Sequence, residues 1–317
     1  MKRASRNELL FLIVALSHAS HITATSLVYS MRLRRSLTAP VLFGNQPRTI
    51  TSFSSVPIYS QRSRHIVDSA RAIDICESRK IVGDVLNMRH TSKKLWWIEV
   101  TTALADEWFS SQGTSRTSAS RFGLDDIVVE AGRVIRMGKN WQFVYYGLAG
   151  FPTSWRPSLN ETQDPLVGTK LFSLGAGIEL SYSAIINPQH AVVFVFQNRF
   201  IHFFNRTWQP ILPCGGKIQP GNVTDLLFSV MYRFSANVVE AGYNPTFFTN
   251  QAVITNNQKI STESFVRNGA YVRYAHLMRD FWAEDKHGFV GAGFSLARAS
   301  RFNSRIHSAW LAIGGLF

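Results

Sequence analysis

Residues Leu171–Ala184 read LFSLGAGIELSYSA. In an extended chain, Phe172, Leu174, Ala176, Ile178, Leu180, Tyr182 and Ala184 fall on one face, and Leu171, Ser173, Gly175, Gly177, Glu179, Ser181 and Ser183 on the other. A strand turns alternate side chains to opposite faces, so one face here is greasy and the other almost wholly small or polar. The alternation outlasts the ~5–6 residues usual for a soluble strand. It fits a tilted membrane strand with lipid outside and a polar interior.

Outward from that stretch the same period recurs. Leu95–Ala105 places Trp96, Ile98, Val100 and Leu104 together, and Thr224–Phe234 does the same with Leu226, Phe228, Val230, Tyr232 and Phe234. Segments 237–248, 265–278, 287–299 and 304–317 alternate with exceptions, and 127–137, 140–150 and 191–204 alternate more weakly. The last is apolar on both faces. The reading is an all-β antiparallel transmembrane β-barrel of about ten strands, an even number as single-chain bacterial barrels require. If the final strand ends on the inner side, gaps 138–139, 185–190 and 235–236 become short inner turns. Gaps 106–126, 151–170, 205–223 and 249–264 then become long outer loops, the asymmetry such barrels show. Gap 279–286 is long for an inner turn and 300–303 short for an outer one.

The beginning of the chain has a different character. Lys2, Arg3 and Arg6 precede the apolar run Leu9–Leu16, and Ser17-His18-Ala19 supplies small residues at a cleavage site. Residues 1–19 read as a signal peptide, with cleavage after Ala24 as the second choice. The run is too short for a membrane helix, which needs ~20 residues. Residues 20–94 carry 12 Lys/Arg against 4 Asp/Glu, while 95–317 carry 19 against 15. Basicity is thus concentrated in 20–94, read as an N-terminal extension or plug, with the barrel over 95–317. Within it, Ile66, Ala70, Ile73 and Cys76 recur at helical spacing, which predicts a short amphipathic helix in 65–88.

Composition narrows the classes. With 45% hydrophobic and 13% aromatic residues the chain is not disordered. Two cysteines, Cys76 and Cys214, exclude a disulfide scaffold and leave a single pairing open. The basic extension lacks any nucleic-acid recognition motif, so no nucleic-acid partner is expected. No P-loop, H-E-x-x-H or G-x-S-x-G motif is present, and no metal or cofactor is expected. His202, His276, His287 and His307 lie among abundant serines, but a triad is defined by geometry, so no catalytic residue is assigned.

Parity then assigns faces. Glu179, Asp225, Arg233, Glu240, Arg267 and Arg273 point into the lumen, with Arg233 and Glu240 near-diagonal across the Ser235-Ala236 turn and able to pair. Mixed signs suit a charge-crossed filling, and an open pore with Arg267 and Arg273 would prefer anions. Arg298 and Arg305 fall on the lipid face of the closing hairpin, nearly opposite one another, with Arg301 in the turn between. Those three are candidate ligands of lipopolysaccharide phosphates.

Phe317 ends the last alternating strand, in which Ile313 and Leu311 stand where aromatic residues are common. With the export signal and the strand pattern, the chain resembles outer-membrane β-barrel proteins of Gram-negative bacteria. Gly147–Thr153, Gly175–Tyr182 and Glu240–Pro245 are similar to stretches in such barrels. The resemblance implies an outer-membrane location, contact with outer-membrane lipid and recognition of Phe317 by the barrel-assembly machinery. The expected function is a small pore or a largely filled structural barrel. The alternatives are an outer-membrane enzyme acting on lipid or peptide, and a soluble exported β-protein.

Overall fold

A computed structural model describes residues 49–68, 73–112, 117–153, 171–187, 189–204, 206–208, 216–255, 258–283, 286–299 and 304–316. In chain order the strands are β1 (Ile50–Asp68), β2 (Ile73–Thr91), β3 (Trp96–Gln112), β4 (Thr117–Leu124), β5 (Ile127–Met137) and β6 (Trp141–Phe151). There follow β7 (Ser173–Asn187), β8 (His190–Phe203), β9 (Arg206–Trp208), β10 (Gly216–Gln219), β11 (Val223–Phe234) and β12 (Asn237–Phe248). The last are β13 (Gln251–Thr255), β14 (Gln258–Thr262), β15 (Phe265–Ala283), β16 (Lys286–Ala299) and β17 (Arg305–Leu316).

Antiparallel neighbours pair from β1 round to β17, and β17 returns to β1 over Ser52↔Leu316 to Ser63↔Arg305. The sheet therefore closes, and closure removes the unpaired edges an open sheet would leave. β4 and β5 share one place in the wall, end to end along the same edge of β3. The wall thus has twelve positions. Between Leu104↔Leu124 and Thr101↔Val128 the register steps by one residue, with Asp125 and Asp126 at the step. This is a β-bulge, which lets consecutive residues face the same way, and both aspartates are buried.

The fold class agrees with the sequence reading, and all ten expected strands are present. Two corrections concern the N-terminal part. Ten strands become twelve, because β1 and β2 join the wall as a hairpin in continuous register from Ile50↔Thr91 to Asp68↔Ile73. The helix expected within 65–88 is absent: 65–68 end β1 and 73–88 lie in β2. The helical spacing of Ile66, Ala70, Ile73 and Cys76 arose because it bridged two strands and the segment joining them. Residues 50–68 and 73–91, assigned to the extension, are barrel wall. Residues 1–48, which include the expected signal peptide and the first part of the expected extension, lie outside the described residues, as do Cys214, Arg301 and Phe317.

Both termini of the wall lie at one end of the barrel, called here the terminal end. The turns at that end are tight. Ser235-Ala236 joins β11 to β12 with φ 54° at Ser235, and Gly138 has φ 76° between β5 and β6. Positive φ matches the twist of paired strands. β15 runs on to Ala283, so the inner gap expected over 279–286 shrinks to residues 284–285. At the opposite, loop end the two segments 205–223 and 249–264 carry short strands, and β14-β13-β10-β9 form a separate four-stranded sheet.

Outward faces are apolar and exposed: Leu174 is 52% accessible, Phe194 49% and Phe228 46%. Trp96, Trp108, Trp141, Tyr232 and Phe151 are also outward and exposed. A soluble barrel would turn such a face inward. The interior is also packed, with Phe203, Phe248, Phe289 and Trp310 buried in one cluster beside small and charged groups.

Candidate functional site

The interior wall positions charge by parity, and the buried side of each strand is the inward one. On β12, Glu240 has Met231 directly opposite on β11 and Arg273 directly opposite on β15. It is fully buried, forms an ion pair with Arg273, and accepts a 2.5 Å hydrogen bond from the Tyr271 hydroxyl. The expected partner Arg233 lies one step further along β11, opposite Val238, and is half-buried. This corrects the Arg233–Glu240 pairing: a residue directly across the ladder is nearer than a diagonal one.

Asp225 on β11 is buried and accepts a 3.1 Å hydrogen bond from Arg199 Nη2 of β8, its register partner. The other guanidinium nitrogen of Arg199 lies 3.7 Å from Glu130 on β5. Between them, Gly177 of β7, the register partner of Arg199, has no side chain, and the Tyr146 ring of β6 folds over it. A Cβ on Gly177 would fall 2.2 Å from that ring. Glu130 in turn stands directly opposite Glu99 on β3. Glu99 lies 3.7 Å from Arg89, which caps the Trp97 ring at 4.4 Å, and accepts a 2.8 Å bond from Asn87. Like carboxylates facing one another are tolerated because each has an arginine on its far side. Nearer the loop end, Arg79 and Glu107 form another buried ion pair.

Arg267 on β15 points inward, donates to Thr246 Oγ1 at 3.3 Å and stands 5.5 Å from the centre of the Phe248 ring. Glu179 is half-buried between Val144 and Gln197 of the neighbouring strands. All six expected lumen residues thus lie on the inward parity, and the structure brings together Glu240 with Arg273 and places Asp225 beside Arg199. Reasoning from sequence missed Arg199, Glu130, Glu99, Arg89, Arg79, Glu107, Asp125 and Asp126. For Arg199 a signal existed: it alternates with Phe194, Phe196 and Phe200, but apolar residues on both faces of β8 hid it. For Arg79 and Arg89 there was none, since their strand was not recognised.

The signs are unevenly distributed round the wall. Among the residues whose side chains are described, the inward acids and bases from β3 to β7 are Glu99, Glu107, Asp125, Asp126, Glu130 and Glu179 with Arg136. From β8 to β15 they include Arg199, Arg233, Arg267 and Arg273 with Asp225 and Glu240. Among the described side chains the interior therefore has an acid-rich and a base-rich sector.

Three of the described histidines bond to groups other than serine. Nδ1 of His202 lies 2.8 Å from Asn222 Oδ1, that of His190 2.7 Å from the Tyr232 hydroxyl, and that of His276 2.8 Å from Asn237 Oδ1. On the outer face of the closing hairpin, Arg298 and Arg305 are direct register partners, and both are exposed. Cys76 is exposed on β2.

No family model matches the chain, and no curated protein matches it in sequence. Solved structures do. An outer membrane channel from Pseudomonas putida F1 superposes with a TM-score of 0.60 at 11% identity, over 88% of this chain and 100% of that one. The transport unit of the autotransporter AIDA-I from Escherichia coli gives 0.57 at 11% identity, over 95% of this chain and 97% of that one. At that identity the likeness is one of fold, and the chain has the fold of outer-membrane β-barrels.

Proposed function

We propose that this chain is a Gram-negative outer-membrane barrel with a narrow, largely filled interior, passing small solutes at most and catalysing no reaction. A signal peptide over 1–19 would deliver it, and the assembly machinery would read Phe317. The observation that carries the reading is the pairing of two facts along each strand: large apolar side chains exposed outward, charged and aromatic ones buried inward. An outward apolar belt is what lipid requires. About eight strands give an interior that side chains fill, and 16–18 leave an aqueous channel. Twelve positions fall between, and the burial of Glu240, Arg273, Arg199 and Phe289 supports the filled form. The fold shared with proteins described as an outer membrane channel and a transport unit supports a passage role.

Two measurements test this. Protein from purified outer membranes should migrate faster on a gel before boiling than after it. Recovery in the soluble periplasmic fraction would end the membrane reading. In planar bilayers the wild type should give small steps, and the Glu240→Ala/Arg273→Ala variant larger ones. A wild-type conductance as large as that of the double variant would show that the interior is open.

A further inference from the structure

At the loop end of the barrel the outward face changes character between two sectors. Over β6–β8 it is aromatic: Phe151, Phe172, Phe200 and Phe204 are exposed, and Phe151 and Phe172 meet edge to face at 6.2 Å. Over β15, β16, β17, β1 and β2 a single register row runs Asn268↔Arg298, Arg298↔Arg305, Arg305↔Ser63 and Ser63↔Ser78. Asn268, Arg298, Arg305 and Ser63 are exposed. The row holds two cations and three neutral polar groups, with no carboxylate. The row two residues nearer the centre adds Lys80 and His307, both exposed, through Lys80↔Gln61 and Gln61↔His307. Leu296 shares that second row, and below it the face becomes apolar, with Phe294, Leu311 and Tyr59 exposed.

Two guanidinium groups directly opposite on adjacent strands repel, and such a pair persists where an anion can lie between them. Arginine presents a planar donor fork that takes phosphate oxygens two at a time, and exposed serine and amide groups supply further contacts. The site sits where an apolar belt gives way to polar groups, so its ligand must carry phosphate at one end and acyl chains at the other. We infer that the Arg298–Arg305 row binds the phosphates of lipopolysaccharide in the outer leaflet, its acyl chains lying on Leu296, Phe294 and Leu311. This rests on the outer-membrane reading, with the loop end outward.

The test uses the full chain in neutral detergent, with the heat-modifiable gel shift as the check that each variant is folded. Purified bisphosphorylated lipopolysaccharide should bind the wild type and raise its unfolding temperature. Arg298→Ala/Arg305→Ala should weaken that binding at least tenfold while staying folded. Arg298→Lys/Arg305→Lys should recover part of it. Arg133→Ala, an outward arginine stacked on Trp96 at the terminal end, should leave binding unchanged. Dephosphorylated lipopolysaccharide should bind the wild type no better than the double variant. Equal binding by the folded double variant would overturn the inference, as would full competition by millimolar inorganic phosphate, which would mark a simple anion site. Loss of the gel shift in the wild type would instead defeat the barrel reading itself.

Discussion

The wall over β7, β8 and β11 and the wall over β1 and β2 do the same mechanical work with different outer faces. On β7 and β11 the outward residues run Leu174, Ala176, Ile178, Leu180 and Leu226, Phe228, Val230, Tyr232. On β1 and β2 they run Phe53, Ser55, Pro57, Tyr59, Gln61 and Lys80, Val82, Asp84, Leu86, Met88. There the Ser55 hydroxyl donates to the Asp84 carboxylate at 2.8–2.9 Å, and Pro57, which has no N–H, falls in the gap of the β1–β17 register between Ser55↔Ile313 and Ile58↔Trp310. The lesson is that closure, more than facial polarity, fixes a strand in this wall. β1 and β2 are held by an unbroken ladder of nineteen paired positions, whatever their side chains offer the outside.

The largest expected effect tests the interior that both walls share. Glu240→Ala leaves Arg273 buried without its carboxylate partner and should cost about 3–5 kcal/mol. Heat stability of the purified protein measures it. Adding Arg273→Met should recover most of the loss, because removing both charges removes the unpaired one. A single variant as stable as wild type would mean that the pair is dispensable.

Next comes the outer face. Ile178→Arg, in the centre of the β7 span, should cost about 2–4 kcal/mol. Asp84→Leu, on the β2 face, should change stability by less than about 1 kcal/mol, in the stabilising direction, because a polar carboxyl group facing lipid is already a cost there. Urea titrations of the folded fraction in lipid vesicles would compare the two. If Asp84→Leu destabilises as much as Ile178→Arg, the polar face of β1–β2 has a binding role and the two walls are more different than proposed.

The smallest effect separates the two faces within one wall. Gly177→Ala places a Cβ against the Tyr146 ring, which is itself buried, and should cost about 1–3 kcal/mol through forced repacking. Gly147→Ala, on the outward face, meets only the Gly175 carbonyl oxygen at 3.9 Å and should be neutral. Equal unfolding temperatures for the two variants would show that the ring over Gly177 yields freely.

Ten strands and their facing were legible in the sequence because a sheet with lipid on one side imposes a period of two, and that period survives in the side chains of β7, β11 and β12. The inward position of Glu179, Asp225, Arg233, Glu240, Arg267 and Arg273, and the opposition of Arg298 and Arg305, followed from the same parity with one hairpin register. β1 and β2 were illegible because Ser, Gln, Lys and Asp interrupt their outward faces while Val56, Ile58, Ile81 and Val85 stand inside, so neither face differs enough from the other to carry a signal. Their place in the wall comes from pairing with β17 and β3, partners about 250 and about 20 residues away in the chain. Which charges meet was also decided by the tertiary structure alone. Glu240 chose Arg273 over Arg233 by direct opposition, and Arg199 approaches Glu130 across two intervening strands, a contact that no hairpin register predicts. Parity gives each residue its side of the wall; the shear of the closed barrel gives it its neighbours.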